Sequence, residues 1–254
     1  MTLTRLIRSE LRKLTSTKMP FAFLGVLVVI AGLNAFVVIA GTDMDGSKAF
    51  ISTAADQQSL IAFAANAFMG AGLFGAIAVA REYGHHTVVP TFLASPRRHR
   101  AVLAQLAAVA GMGGVLSLVG AGLTVTAVAL SLPTTDYGFL VSAGNVVRVI
   151  AASGFAGAAG AVLGAGVGAV VRNVGGAVTS AVLVLIIAPP LVAQLFNGSG
   201  SWMPGILANV LSGTVTDVAA PAAPAAPAAL AALAAWAIIP ALIGLIAVER
   251  RDVV

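Results

Sequence analysis

No cysteine occurs anywhere in the chain, so disulfides, thiolate metal sites, cysteine nucleophiles and cysteine lipidation are all excluded. Charge is nearly as scarce. Only 9% of the 254 residues are Asp, Glu, Lys or Arg, against roughly a quarter in soluble domains. With 59% apolar residues, that ratio excludes a water-soluble globule. No H-E-x-x-H or G-x-S-x-G motif occurs, which removes the commonest metalloprotease and hydrolase signatures. A phosphate-binding loop is missing too: Gly41-Thr42-Asp43-Met44-Asp45-Gly46-Ser47-Lys48 has similar spacing, but its Ser and Lys stand in the wrong order and two aspartates would repel phosphate. The net charge of +5 does not mark a nucleic-acid binder, because the ionisable residues fall between long apolar runs rather than in one basic patch.

What the chain does have is length without charge. A helical span takes about 20 largely apolar residues, and six stretches qualify: 21–40, 59–80, 102–131, 149–171, 174–196 and 228–248. Pro189 and Pro190 interrupt the fifth and Pro240 the sixth, which predicts kinks. The expected fold is an all-α polytopic membrane protein with six transmembrane helices in one domain. Twelve of the fourteen Lys and Arg fall on one side of these spans: Arg5, Arg8, Arg12, Lys13, Lys18, Arg81, Arg97, Arg98, Arg100, Arg172, Arg250 and Arg251. Cytoplasmic loops carry such an excess, so both termini are expected in the cytoplasm. A cleaved signal at the first span is disfavoured, since the stretch exceeds a signal core and its loss would put one basic segment on the wrong side.

Between the spans, residues 1–19 put Leu3, Leu6, Ile7, Leu11 and Leu14 at helical spacing, with Arg5, Arg8, Arg12 and Lys13 between them. This predicts an amphipathic helix in the membrane interface; a simple topology-setting basic flank fits the same composition. Residues 81–100 form the one cytoplasmic loop long enough to fold, with a short helix expected before a Ser95-Pro96 turn. His85, His86 and His99 lie there with Glu82 as their sole acidic neighbour, too few ligands for a structural metal, and a docking surface for a cytoplasmic protein is expected instead. The outer segment 197–227 combines Trp202, an apolar stretch from Met203 to Leu211 and an Ala/Pro tract, as a short or re-entrant helix followed by a linker would.

Inside the span cores there is no Asp, Glu, Lys, Arg or His, whereas ion-coupled carriers place ionisable groups within the membrane. Paired catalytic residues for an intramembrane enzyme are absent for the same reason. Asn34, Asn66 and Gln194 are polar residues in the spans; they serve helix packing or, if a cavity exists, substrate selection. Gly160, Gly164 and Gly168 line one helix face and predict close packing, within the subunit or against a second copy. No internal repeat is visible, which argues against an inverted-repeat carrier. Having neither a nucleotide site nor intramembrane charge, the chain must draw any driving energy from a partner.

Two stretches give this requirement a form. Ser9-Glu10-Leu11-Arg12-Lys13-Leu14 resembles the E-x-x-K-L opening of the membrane subunits of bacterial ABC exporters of the ABC-2 type. Arg81-Glu82 through Thr87, Pro90-Thr91, Leu93 and Ser95-Pro96-Arg97-Arg98 resembles that family's R-E-x-x-x-x-T-x-x-P-T-L-L-x-x-P-R-R loop, departing at His86 and Phe92. The resemblance implies a permease of the bacterial plasma membrane that pairs with a second copy or a sister subunit and binds ABC ATPase subunits carrying ATP and Mg; a strong preference for Arg over Lys fits a GC-rich, actinobacterial source. It implies a connecting helix bearing Arg8, Arg12 and Lys13, and a coupling segment in which Arg81, Glu82, Tyr83, His85, Thr87, Pro90, Pro96, Arg97 and Arg98 lie at or beside the ATPase. The implied cargo is hydrophobic or amphipathic: a drug, an antibiotic or a lipid-like compound. An ATPase-independent channel or membrane scaffold is the alternative.

Overall fold

The computed structural model describes residues 3–44, 46–65, 68–84, 98–196, 198–214 and 223–250. Among them there are helices and turns but no strand. Six helical stretches among the described residues are long and apolar enough to cross a membrane. Helix α1 (Leu3–Thr15) turns at Ser16–Lys18 into α2 (Met19–Ala40). Helices α3 (Ala54–Ala65) and α4 (Phe68–Gly84) make up the second stretch, and α5 (Arg98–Ser131) and α6 (Ala143–Val171) the third and fourth. The fifth comprises α7 (Val174–Val182), a π-turn over Leu183–Ile187 and α8 (Ala188–Leu195). Helix α9 (Pro204–Ser212) is short, and α10 (Ala226–Arg250) is the sixth.

Two of the helices that begin earlier than charge alone predicted do so because local capping overrides the charged residues. The second stretch starts ahead of residue 59: Thr53 Oγ1 accepts from the Asp56 amide at 3.1 Å while Asp56 accepts from the Thr53 amide at 3.1 Å, a reciprocal box that satisfies two end donors. The fourth starts at Ala143 rather than Val149, since Ser142 Oγ accepts from the Asn145 amide at 3.3 Å. Arg148, expected in a loop, is therefore part of α6. In the fifth stretch Pro189 and Pro190 are accommodated without a break. The Ala188 amide bonds back to Leu183, five residues earlier, and this wider turn removes the clash a proline ring would make with a carbonyl four residues back.

Helix α6 is the centre of the molecule. Fifteen of its residues are buried, nearly all Ala or Gly. Gly160, Gly164 and Gly168 face the α4 backbone at Phe68, Gly72 and Ala76, so the two helices run parallel in backbone contact, and the glycine face is spent within the chain. On another side Gly113 meets Gly157 and Ala161, and Ser117 meets Gly157, which sets α5 antiparallel to α6. Gly166 packs on Pro240 and Ala241 of α10. Phe23 of α2 meets Phe74 of α4 edge to face at 5.3 Å, with Leu27 against Gly120 of α5. Helix directions therefore alternate along the chain. One end of the bundle gathers α1, the start of α2, the end of α4, the start of α5 and the junction of α6 with α7.

Candidate functional site

That end is where the charged residues meet. Helix α1 turns Leu6, Ile7, Glu10, Leu11, Lys13 and Leu14 inward and leaves Arg5, Arg8 and Arg12 exposed. Glu10 takes a place on the apolar face, three residues before Lys13, so its carboxylate meets the Lys13 ammonium on the same side of the helix, at 2.6 Å. Lys13 also reaches Glu82, near the end of α4, with Nζ 3.4 Å from Oε2. The side chain of Gln105 on α5 donates a further hydrogen bond to Glu82. A single ammonium thus stands between two carboxylates drawn from two helices, and an amide from a third holds the second carboxylate.

Both carboxylates are shielded: the Glu10 and Glu82 side chains are 5% and 14% exposed, against 34% for Lys13. Charges taken this far from water persist where they are mutually compensated, and such a cluster fixes geometry more than it adds stability. Removing Lys13 would leave two carboxylates facing each other. The cluster therefore ties the orientation of α1 to the end of α4.

Beside it, Tyr83 is buried with the Arg172 guanidinium 5.2 Å from its ring centre. Arg172 closes α6 in a left-handed conformation, φ 62°, which is uncommon for a residue with a side chain. The fold holds it there: its amide bonds to Gly168 at 2.9 Å and its guanidinium donates to the Ala247 carbonyl of α10 at 3.2 Å. Asn173 then caps α7 by accepting from Gly176 at 2.7 Å. Arg172 thus joins α4, α6 and α10 at the same end of the bundle.

Next to the cluster lies a cleft of about 410 Å³, lined by Lys13, Leu14, Ser16, Thr17, Met19, Ala78, Arg81 and Glu82. The Arg81 side chain is exposed and makes no ion pair among the described residues.

Of the residues singled out from sequence, Lys13, Arg81, Glu82 and Tyr83 gather here, while Arg8 and Arg12 face outward from α1. His85, Thr87, Pro90, Pro96 and Arg97 lie outside the described residues, as does Asn66, and Arg98 opens α5. Asn34 donates to Ile30 of its own helix at 2.9 Å, and Gln194 is exposed near the end of α8.

Sequence reasoning missed Glu10, Gln105 and Arg172 as parts of this site. Glu10 had a legible signal, an acid spaced four residues from both Leu6 and Leu14. Gln105 and Arg172 had none, since their roles depend on which helices meet. At the far end it also missed Gln57, which is fully buried. Gln57 donates to Ile51 and Gly138 at 3.0 and 2.9 Å and accepts from Leu140 at 2.9 Å. Gln58 and Arg148 hold the end of α9 through the carbonyls of Ser212, Leu211 and Val210. Compared with known proteins, the chain matches no family model and no curated relative.

Proposed function

We propose that this chain is the permease subunit of an ATP-driven exporter of the ABC-2 type. It lies multi-pass in a bacterial plasma membrane with both termini cytoplasmic, and it pairs with a second copy or a sister subunit. Separate ATPase subunits carrying ATP and Mg drive it. The observation that supports this reading best is the ion-pair cluster. Glu10 and Lys13 come from the first motif and Glu82 from the second, 69 positions from Lys13, yet they share one set of contacts.

The mechanism follows from that link. A partner bound to the loop after α4 would push on Glu82, and through Lys13 on α1, so both elements would move as one lever. The Arg172 junction would pass the same displacement to α6 and α10. ATP binding would then favour one arrangement of the bundle because nucleotide binds that arrangement better. Orientation rests on the basic residues: Lys18, Arg81, Arg100 and Arg172 share the end bearing α1. The cargo is a hydrophobic or amphipathic compound, consistent with span cores that lack ionisable side chains.

Purification of the tagged chain in mild detergent, with mass spectrometry of co-purifying proteins and an ATPase assay of the eluate, tests this reading. Wild type is expected to recover a nucleotide-binding subunit and ATP hydrolysis, and Glu82→Lys or the pair Arg97→Glu and Arg98→Glu to lose both. A chain that emerges alone, or retains full hydrolysis with these changes, would shift the assignment to an ATPase-independent channel or scaffold.

A further inference from the structure

The cleft at the α1–α2 corner borders the ion-pair cluster and adds to it an apolar wall that the export reading does not use. Leu14, Met19 and Ala78 form an apolar wall, while Lys13, Arg81, Ser16 and Thr17 bring polar atoms to the same space. Its volume of about 410 Å³ lies within the range of small-ligand sites. Its place is equally specific. Met19 begins one long apolar helix and Arg81 stands near the end of another, so the cleft sits where two spans reach their boundary.

The lining sorts by the charge each group has left to offer. Lys13 is held by Glu10 and Glu82, and Glu82 by Lys13 and Gln105. Ser16 and Thr17 donate their hydroxyl protons to the carbonyls of Lys13 and Leu14 at 2.9 Å each. Arg81 makes no ion pair among the described residues, and its planar guanidinium fork matches two oxygens of a phosphate. We propose that this cleft binds the headgroup of an anionic phospholipid, with the phosphodiester on Arg81 and the adjoining glycerol and upper acyl chain along Leu14, Met19 and Ala78. A zwitterionic lipid would bring a quaternary ammonium toward a wall whose one carboxylate is already engaged, so a choline headgroup gains less. The inference rests on the six helices being membrane spans and does not depend on an ATPase.

Native mass spectrometry of the full chain, purified in neutral detergent and titrated with phosphatidylglycerol, phosphatidylcholine or inorganic phosphate, tests it. Phosphatidylglycerol is expected to bind at lower concentration than phosphatidylcholine, and inorganic phosphate to leave that binding unchanged. Arg81→Gln should weaken the phosphatidylglycerol complex roughly fivefold. Arg81→Lys should recover part of that loss, and Arg100→Gln, at the same end but outside the cleft, should bind as wild type does. Equal binding of the two lipids, competition by inorganic phosphate, or equal losses in Arg81→Gln and Arg100→Gln would overturn the proposal. Extraction of the chain from membranes by carbonate without detergent would instead overturn the reading of the helices as spans.

Discussion

Helices α2 and α6 are both long and uncharged over most of their length, yet they do opposite work. Over their most apolar windows α2 is 11% buried and α6 56%, although α2 is the more apolar of the two. Phe21, Val26, Val29, Leu33, Phe36 and Ile39 of α2 face outward, while α6 turns Ala and Gly toward its neighbours. In water this order would be reversed. In a bilayer the lipid is as apolar as leucine, so hydrophobicity gives no reason to go inside, and helices associate where small side chains let backbones approach. The glycine face predicts the core of this molecule better than hydropathy does.

The largest expected effect that would sharpen this contrast is Gly164→Val. A Cβ at this position would meet the Gly72 carbonyl and the Ala76 amide of α4, backbone atoms that cannot turn aside. A loss of about 3 kcal/mol is expected, seen as a collapse of the folded fraction on size exclusion in detergent. Next comes Lys13→Met, in the helix that links the α2 side to the core. It leaves Glu10 and Glu82 uncompensated, and a loss of about 2 kcal/mol is expected because Lys13 is itself part exposed; thermal unfolding would report it, and proteolysis within α1 should accelerate.

A smaller effect is expected at the contact of α2 with α5. Gly120→Ala would meet the Leu27 side chain, its nearest methyl at 2.8 Å, which can rotate away, so the loss should stay near 1 kcal/mol by the same unfolding assay. Gly25→Ala and Gly32→Ala should be smallest, within about 0.5 kcal/mol, since nothing lies within 4 Å of the added carbon. If these α2 changes cost as much as Gly164→Val, the core has been assigned to the wrong helix.

Much of the fold was legible because each span is an uncharged run bounded by charge. The boundaries were less so. Charge placed the fourth span at Val149, whereas Ser142 caps the helix two turns earlier and carries Arg148 inside it. The glycine face of α6 was visible, but its partner was not, since sequence cannot say that Gly164 meets Gly72 rather than another copy of itself. At the charged end, Lys13 and Glu82 were each singled out for separate reasons. Their meeting depends on α1 folding back against α4 and α5, a matter of tertiary packing. Asn34 shows the converse, a polar residue in a span whose hydrogen bond is local.

A charge exchange tests the link between α1 and the end of α4 most directly. On the export proposal, Lys13→Glu and Glu82→Lys should each abolish co-purification of the proposed ATPase subunit and its ATP hydrolysis. The double variant again has one ammonium and two carboxylates, with the ammonium now carried by α4 and both carboxylates by α1, and should recover a substantial part of both. Recovery in the double variant would establish that the ion pair transmits between the two elements. Single variants with full hydrolysis, or a double variant no better than either single one while remaining folded, would contradict it.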